Sequence, residues 1–133
     1  MSKYESTQEI KKTIWGRELD ISLNFAGYSG VSDNQISAYE EFESNFDGMM
    51  DGAKKSVIEY CFAEYKDFFE QQGVKEIDNI FKYVVPVVIH VSQDFRDNRI
   101  GLICKFKCDL ENGLCVVFKD GKIENVGYDY VLL

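Results

Sequence analysis

The chain's four cysteines and one histidine are the residues best suited to nucleophilic or metal chemistry. They are Cys61, Cys104, Cys108, Cys115 and His90. Nucleophilic catalysis would need a thiol beside the imidazole, for instance Cys104 or Cys108 on a strand next to His90. No two cysteines have Cys-x-x-Cys spacing, and a single histidine does not complete a zinc site. We therefore expect buried free thiols of a reducing compartment, no metal and no cofactor.

Paired carboxylates are the second set of residues that could do chemistry. The pairs are Asp94 and Asp97, Asp109 and Glu111, and Glu40 and Glu43. Acid–base catalysis needs carboxylates that share a cleft and differ in pKa, and a cation site needs convergent oxygens. The first two pairs lie in predicted turns, and the chain has no calcium loop, phosphate-binding glycine loop or serine elbow. The sequence predicts no catalytic residues, and a small enzyme that uses His90 is the least favoured function.

Composition restricts the class of protein. The chain has 133 residues, of which 45% are hydrophobic, and its formal net charge is -8. These values are typical of one folded domain, residues 1–133. Such an acidic protein repels phosphate, so we expect no nucleic-acid partner. The longest apolar run, Tyr83–Val91, is too short for a membrane span, and the N-terminus lacks a signal-peptide core, so we expect a cytoplasmic protein.

The negative charge is concentrated in one part of the chain. Residues 33–72 hold ten acidic and three basic side chains, for a net charge of -7. Six of these acids fall between Asp33 and Asp51, where there is no base. Such a run is either a solvated helix face that keeps the protein soluble or a surface that steers a basic partner. The predicted partner contacts are Asp33, Glu40, Glu41, Glu43, Asp47 and Asp51.

Hydrophobic spacing predicts strands at both ends of the chain and helices between them. Residues 19–25 alternate as a half-buried strand, which residues 10–15 can join through a turn at Gly16-Arg17. Residues 87–91, 100–108, 114–118 and 123–126 are strand-like, and the Asp120-Gly121 and Asn112-Gly113 pairs are typical of tight turns between them. Three adjacent strands of this set, connected by short turns, predict an antiparallel meander.

The central segment predicts two helices. Ser32 and Gln35 form a capping box that begins the first helix, whose apolar stripe is Ile36, Tyr39, Phe42 and Phe46. Residues 45–48 interrupt it, and a second helix, with Met50, Ala53, Val57, Cys61 and Phe68 at helical spacing, ends at Gly73. A short helical turn at residues 78–82 precedes Pro86. The sequence predicts an α+β fold, in which an antiparallel sheet of N-terminal strands and C-terminal meander packs against a two-helix hairpin.

The aromatic residues on the second helix allow two interpretations of what this helix packs against. Tyr60, Phe62, Tyr65 and Phe69 cannot all face the core that Val57 faces. Edge-of-core packing is one interpretation. A partner or homodimer interface is the other, because tyrosine and phenylalanine are common interface anchors.

Four motifs combine apolar and turn residues at fixed spacing: Arg99-Ile-Gly-Leu-Ile103, Cys108-Asp109-x-Glu111-x-Gly113-Leu114-x-Val116-x-Phe118-x-Asp120-Gly121-Lys122, Val126-Gly127-x-Asp129 and Ser32-x-x-Gln35-x-x-x-Tyr39-x-x-Phe42. These motifs resemble a family of small bacterial domains that are similar to the immunity proteins of contact-dependent and polymorphic toxin systems. The resemblance covers most of the chain, and most matched positions are apolar or turn residues, which report on fold.

That resemblance implies a cytoplasmic protein that binds the C-terminal domain of a cognate toxin and blocks it. Many such toxins are basic nucleases, which an acidic surface would attract. The alternative binding surface is the loop side of the meander, with Asp94, Arg96, Asp97, Asp109 and Glu111. The alternative function is a scaffold or homodimer without catalysis.

Overall fold

The structure is a computed structural model that describes residues 4–27, 30–92 and 99–127. Within these ranges the chain forms six strands and three helices. The strands are β1 (Thr7–Ile14), β2 (Arg17–Phe25), β3 (Val84–Val91), β4 (Arg99–Phe106), β5 (Leu114–Lys119) and β6 (Lys122–Gly127). The helices are α1 (Asp33–Ser44), α2 (Phe46–Glu64) and α3 (Lys66–Gln71), and a 3-10 turn at Ile80–Lys82 precedes β3.

The six strands form one sheet in the order β1-β2-β3-β4-β5-β6. Every neighbouring pair is antiparallel except β2 and β3, which are parallel. Parallel strands require a crossover connection, and the helices supply it between Phe25 and Val84. The predicted α+β class is confirmed, and the predicted three-stranded C-terminal meander is extended by one more antiparallel strand, so that it runs from β3 to β6. The pairing of β2 with β3, which we call the parallel joint, departs from the antiparallel sheet that the sequence predicted. The other four pairs follow that prediction, so the sheet is mostly antiparallel.

The helices α1 and α2 cover one face of the sheet, which we call the helix face, and α3 packs against α2. Ile21, Leu23, Ile89, Leu102 and Val116 point to it and are at most 1% exposed. On the helical side, the Phe42 ring of α1 lies 5.3 Å from the Phe118 ring of β5. A Cβ placed on Gly52 of α2 would lie 3.3 Å from Ile123 Cδ1 of β6. The opposite face carries the alternate residues of each strand, among them Asn24, His90 and Gly101.

Two hairpin turns are built from residues with positive φ, the backbone conformation that tight turns between strands require. Asp120 and Gly121 have φ of 52° and 77° and join β5 to β6, as predicted. The predicted turn at Gly16-Arg17 is displaced by one residue, because Trp15 and Gly16, with φ of 52° and 82°, occupy the turn and Arg17 begins β2. A tryptophan is unfavourable in this conformation. Its indole compensates by donating to the Met50 carbonyl of α2 at 2.8 Å.

The helical segment differs in detail from the sequence prediction. A single residue, Asn45, separates α1 from α2, and Tyr65 separates α2 from a third helix, α3. The Asn45 side chain donates to the Glu41 carbonyl at 3.1 Å, which satisfies a free carbonyl at the end of α1. The predicted stripe of the second helix is confirmed as far as Cys61, since Met50, Ala53, Val57 and Cys61 are at most 3% exposed.

Two strand predictions need local correction. Val87 does not share the buried face of Ile89 and Val91, because the register of β3 shifts between Pro86 and Val88 and leaves Val87 half-buried. Cys108 does not extend β4, which ends at Phe106 in a turn. Both errors have the same cause, since a bulge or an early strand end breaks the period of two on which the prediction depended.

Gln35 joins the beginning of α1 to the parallel strands. The predicted capping box is present, with Gln35 N donating to Ser32 Oγ at 3.2 Å and Ser32 N donating to Gln35 Oε1 at 3.0 Å. Gln35 Nε2 also donates to the Ala26 carbonyl at 2.7 Å and to the Val91 carbonyl at 3.4 Å. The side chain is 3% exposed, so these hydrogen bonds form out of contact with water. One amide therefore serves the helix cap and the ends of β2 and β3.

We predict that Gln35→Ala lowers the free energy of unfolding by about 2 kcal/mol, because it removes half of the capping box and leaves the part-buried Ala26 carbonyl without this donor. Gln35→Glu should lose at least as much, since its carboxylate would face the two carbonyls. Urea denaturation measures both. Asn34→Ala, at the exposed neighbouring position, is the control. Equal stability of Gln35→Ala and Asn34→Ala would contradict the role given to Gln35.

Candidate partner-binding surface

The six predicted contact residues lie on α1 and at the start of α2. The exposed ones are Asp33, Glu40 and Glu41 on α1 and Asp47 and Asp51 on α2, and we call these five the acidic surface. Glu43 is only half-buried rather than exposed. The helix periodicity explains this placement, because Gln35, Ala38, Tyr39 and Phe42 occupy the buried side of α1.

Glu43 makes its contacts within the chain. Lys12 Nζ on β1 lies 2.8 Å from both carboxylate oxygens, and Tyr39 donates its hydroxyl to Oε1 at 2.9 Å. The same ammonium group lies 4.1 Å from the centre of the Phe46 ring. Burial and then the hydrogen bond to Glu43 raise the pKa of Tyr39. Lys12 therefore neutralises Glu43, and the sequence count, in which no base lay between Asp33 and Asp51, missed it.

The β5–β6 hairpin adds an acidic residue beside the acidic surface. A Cβ placed on Gly121 would lie 3.8 Å from Glu41 Oε1. Glu41, Asp120 and Gly121 line one cleft, whose apolar walls include Ala38 and Phe118. Asp120 was not among the predicted contacts, because sequence analysis treated it only as a turn residue.

Basic residues limit the acidic surface on α2. Lys54 and Lys55 are exposed and follow Asp51 by three and four residues, which places them one helical turn further along. The concentration of negative charge therefore lies on α1, around Asp33, Glu40 and Glu41. Only Asp109 and Glu111 of the alternative loop surface belong to the described residues, because Asp94, Arg96 and Asp97 lie outside them.

The described part of that loop surface is organised as a turn. Asp109 accepts hydrogen bonds from Asn112, at 3.1 Å from the backbone nitrogen and 3.0 Å from the side chain. These bonds lower the pKa of Asp109 below its ordinary value. Glu111 is exposed in the same loop. The Asp109 carboxylate thus has a local structural role that accounts for its presence.

The structure does not bring His90 together with a cysteine of the predicted pairs. His90 points to the opposite face of the sheet, whereas Cys104 points to the helix face and Cys108 lies beyond the end of β4. Burial raises the pKa of Cys61 to about 12 and that of Cys108 to about 11, and it raises the pKa of Cys104 well above its ordinary value. These thiols are protonated at neutral pH, whereas a nucleophile requires the thiolate.

In residues 4–27, 30–92 and 99–127, no three histidine, cysteine, aspartate or glutamate side chains are grouped to hold a metal ion. No helix in this part of the chain has the length and apolar character needed to cross a membrane.

The aromatic side chains of α2 and α3 pack against one another at the edge of the core. Tyr60 and Tyr65 stack at 5.9 Å between ring centres, and Tyr65 meets the Phe106 ring of β4 edge-on at 5.0 Å. Phe69 is 1% exposed, and Phe62 lies 5.0 Å from it. Edge-of-core packing accounts for these contacts, and the homodimer stays a prediction.

The buried position of the Lys12–Glu43 pair gives a testable difference from a surface pair. The side chains of Lys12 and Glu43 are 18% and 34% exposed, against 69% and 75% for Lys11 and Asp20. We predict a coupling energy of about 1–2 kcal/mol in a double-mutant cycle of Lys12→Met and Glu43→Gln, because the pair is partly removed from water. The Lys11→Met and Asp20→Asn cycle should show a smaller coupling, because water screens this exposed pair even though the hydrogen bond to Asp20 raises the pKa of Lys11. Equal coupling in the two cycles would contradict this assignment.

The burial of His90 predicts a pH-dependent stability. Burial lowers the pKa of His90 below its ordinary value of 6.5, so the unfolded chain binds this proton more tightly than the folded protein. Stability from this group is present above the unfolded pKa and is lost as the pH falls toward the folded pKa. The urea midpoint should decrease between about pH 7.5 and about pH 5.5. His90→Gln should decrease less over the same range, and an equal decrease would contradict the prediction.

Comparison with known proteins gives one match. The model of a family described as Domain of unknown function (DUF6985) matches residues 2–133. No curated protein and no solved structure matches the chain. Because the matched residues span the sheet and all three helices, the chain belongs to the DUF6985 family.

Proposed function

We propose that the protein is a cytoplasmic immunity protein, which binds the C-terminal domain of a cognate bacterial toxin and blocks its activity. The toxin domain is basic, and a nuclease is the activity that best matches an acidic inhibitor. The acidic surface, centred on Asp33, Glu40 and Glu41 of α1, makes the contact.

The observation that supports this proposal is the exposure of the acidic surface. Five of the six predicted contact residues reach solvent, although α1 buries its opposite side against the sheet. An exposed single-sign surface on a rigid helix accelerates association with a partner of opposite charge. A nuclease binds phosphates in a basic cleft, so carboxylates at matching positions would compete with its substrate.

The pairing of Glu43 with Lys12 removes Glu43 from the proposed partner contacts. A carboxylate held by an ammonium group at 2.8 Å contributes little field to a partner. We place the contact on Glu40 and Glu41 because both side chains are exposed, and the exposed Asp120 lies beside Glu41 on the hairpin. This choice also separates binding from folding, because Glu40 and Glu41 are exposed whereas Glu43 contributes to the packing of α1 against β1.

The test first asks whether the gene immediately upstream encodes a secreted toxin, and it then uses the C-terminal domain of that toxin as the binding partner. Glu40→Lys/Glu41→Lys should weaken binding of that domain at least about tenfold, mainly through a slower association rate that depends on salt. Surface plasmon resonance at several salt concentrations measures both rates. Glu59→Lys/Glu64→Lys is the matched control, since it reverses two exposed acids on α2 and changes the net charge equally.

The possible outcomes test the acidic surface and the immunity function separately. Unchanged affinity of Glu40→Lys/Glu41→Lys, with folding intact, would contradict the acidic surface. Equal weakening by both double variants would show that net charge, and not this surface, determines association. If the wild-type protein neither binds the toxin domain nor protects cells against it, the immunity function is wrong.

A further inference from the structure

Three neighbouring strands place polar side chains in one row on the opposite face of the sheet. Thr7 of β1 pairs with Asn24 of β2, and Asn24 pairs with His90 of β3. Thr7 Oγ1 donates to Asn24 Oδ1 at 3.3 Å, and Asn24 Nδ2 lies 3.1 Å from His90 Nδ1. The next residue in the row, Gly101 of β4, has no side chain. The row therefore links the edge strand β1 to the parallel joint of the sheet.

The two hydrogen bonds have a defined direction. In the structure the Asn24 Nδ2 group faces His90, and because an amide nitrogen only donates, His90 Nδ1 accepts this bond. The imidazole is then neutral, with its proton on Nε2. At the other end, Asn24 Oδ1 accepts from the Thr7 hydroxyl. Both ends of the row hold the Asn24 amide in one orientation.

We propose that this row is a hydrogen-bond relay, in which protonation of His90 turns the Asn24 amide over and reverses both hydrogen bonds. One proton from solvent binds Nδ1, and the imidazolium Nδ1–H then donates to Asn24 Oδ1. The Asn24 amide nitrogen then donates to Thr7 Oγ1, since a hydroxyl both donates and accepts. No covalent bond between heavy atoms changes. Both states keep two hydrogen bonds among these three side chains, so the reversal exchanges hydrogen bonds without losing one.

Burial lowers the pKa of His90, and the other charged groups on this face lie in neighbouring rows. On β1, Glu9 lies in the next row and favours the imidazolium. On β4, Arg99 lies in the row on the other side of Gly101 and disfavours it, although Glu124 of β6 partners Arg99 at 3.1 Å. Lys119 of β5 pairs with Arg99 across the strands, and on β2 Asp20 and Glu18 lie further away along the face. The described residues of β3 place no other titratable group on this face.

The relay transmits acidification to the edge of the sheet. Thr7 is exposed on β1, which is the first strand in the sheet order. When the relay reverses, its hydroxyl hydrogen no longer points to Asn24 and is available to solvent or to a molecule at this edge. The hydrogen-bonding character of the edge strand thus depends on a histidine two strands away.

Nuclear magnetic resonance of the intact protein tests the relay. At about pH 8, the His90 nitrogens should show the Nε2–H form. On acidification, the Asn24 side-chain amide signals should shift with the same midpoint as the His90 ring. The Asn112 side-chain amide is the internal control, because it donates to Asp109 and should follow that carboxylate at lower pH.

A variant tests the direction of the bonds independently. In Asn24→Asp the carboxylate can only accept, so His90 must donate, and its midpoint should rise by at least about one pH unit. An Nδ1–H form at high pH, or a His90 titration without movement of the Asn24 amide, would overturn the relay. Loss of the dispersed backbone spectrum at the His90 midpoint would also overturn it, since protonation would then unfold the protein. If Asn24→Asp does not fold, the wild-type titration decides.

Discussion

The structure depends on one buried amide, that of Gln35, because it connects three parts of the fold that are formed by distant segments. Its backbone and Oε1 complete the cap of α1, and its Nε2 donates to the carbonyls at the ends of β2 and β3. These strands form the parallel joint between the N-terminal hairpin and the meander. Fixing the start of α1 at this joint determines how the helix crosses the sheet, and therefore which carboxylates face solvent.

Local patterns made much of the fold predictable. The capping box of Ser32 and Gln35, the Asp120-Gly121 turn and the apolar stripe from Met50 to Cys61 each depend on residues close in sequence, and each is confirmed. The parallel pairing of β2 and β3 was not predicted, because Asn24 and His90 are 66 residues apart and no local signal encodes their register. The second role of Gln35 was missed for the same reason.

Counting charges along the sequence predicted which carboxylates are exposed but not which of them pair with distant residues. Exposure of Asp33, Glu40 and Glu41 follows from helical periodicity, which the sequence displays. The neutralisation of Glu43 by Lys12 joins residues 31 positions apart, and Asp120 reaches the same region from the opposite end of the chain. Lys12 could have been suspected, since it alternates with Ile10 and Ile14 on the face of β1 that turns toward the helices. The acidic surface therefore lacks Glu43, which the charge count included, and has Asp120 beside it, which the count did not include.

The parallel joint also affects the order in which the sheet can assemble. The β1–β2 hairpin and the β3–β6 meander pair strands that are neighbours in sequence, so each closes only short loops. Joining them requires the chain from Phe25 to Val84 to be closed, and that entropy is recovered only when the helices pack and Gln35 reaches both strand ends. The N-terminal hairpin is consequently the last part of the sheet that we expect to dock during folding, and the first that we expect to separate.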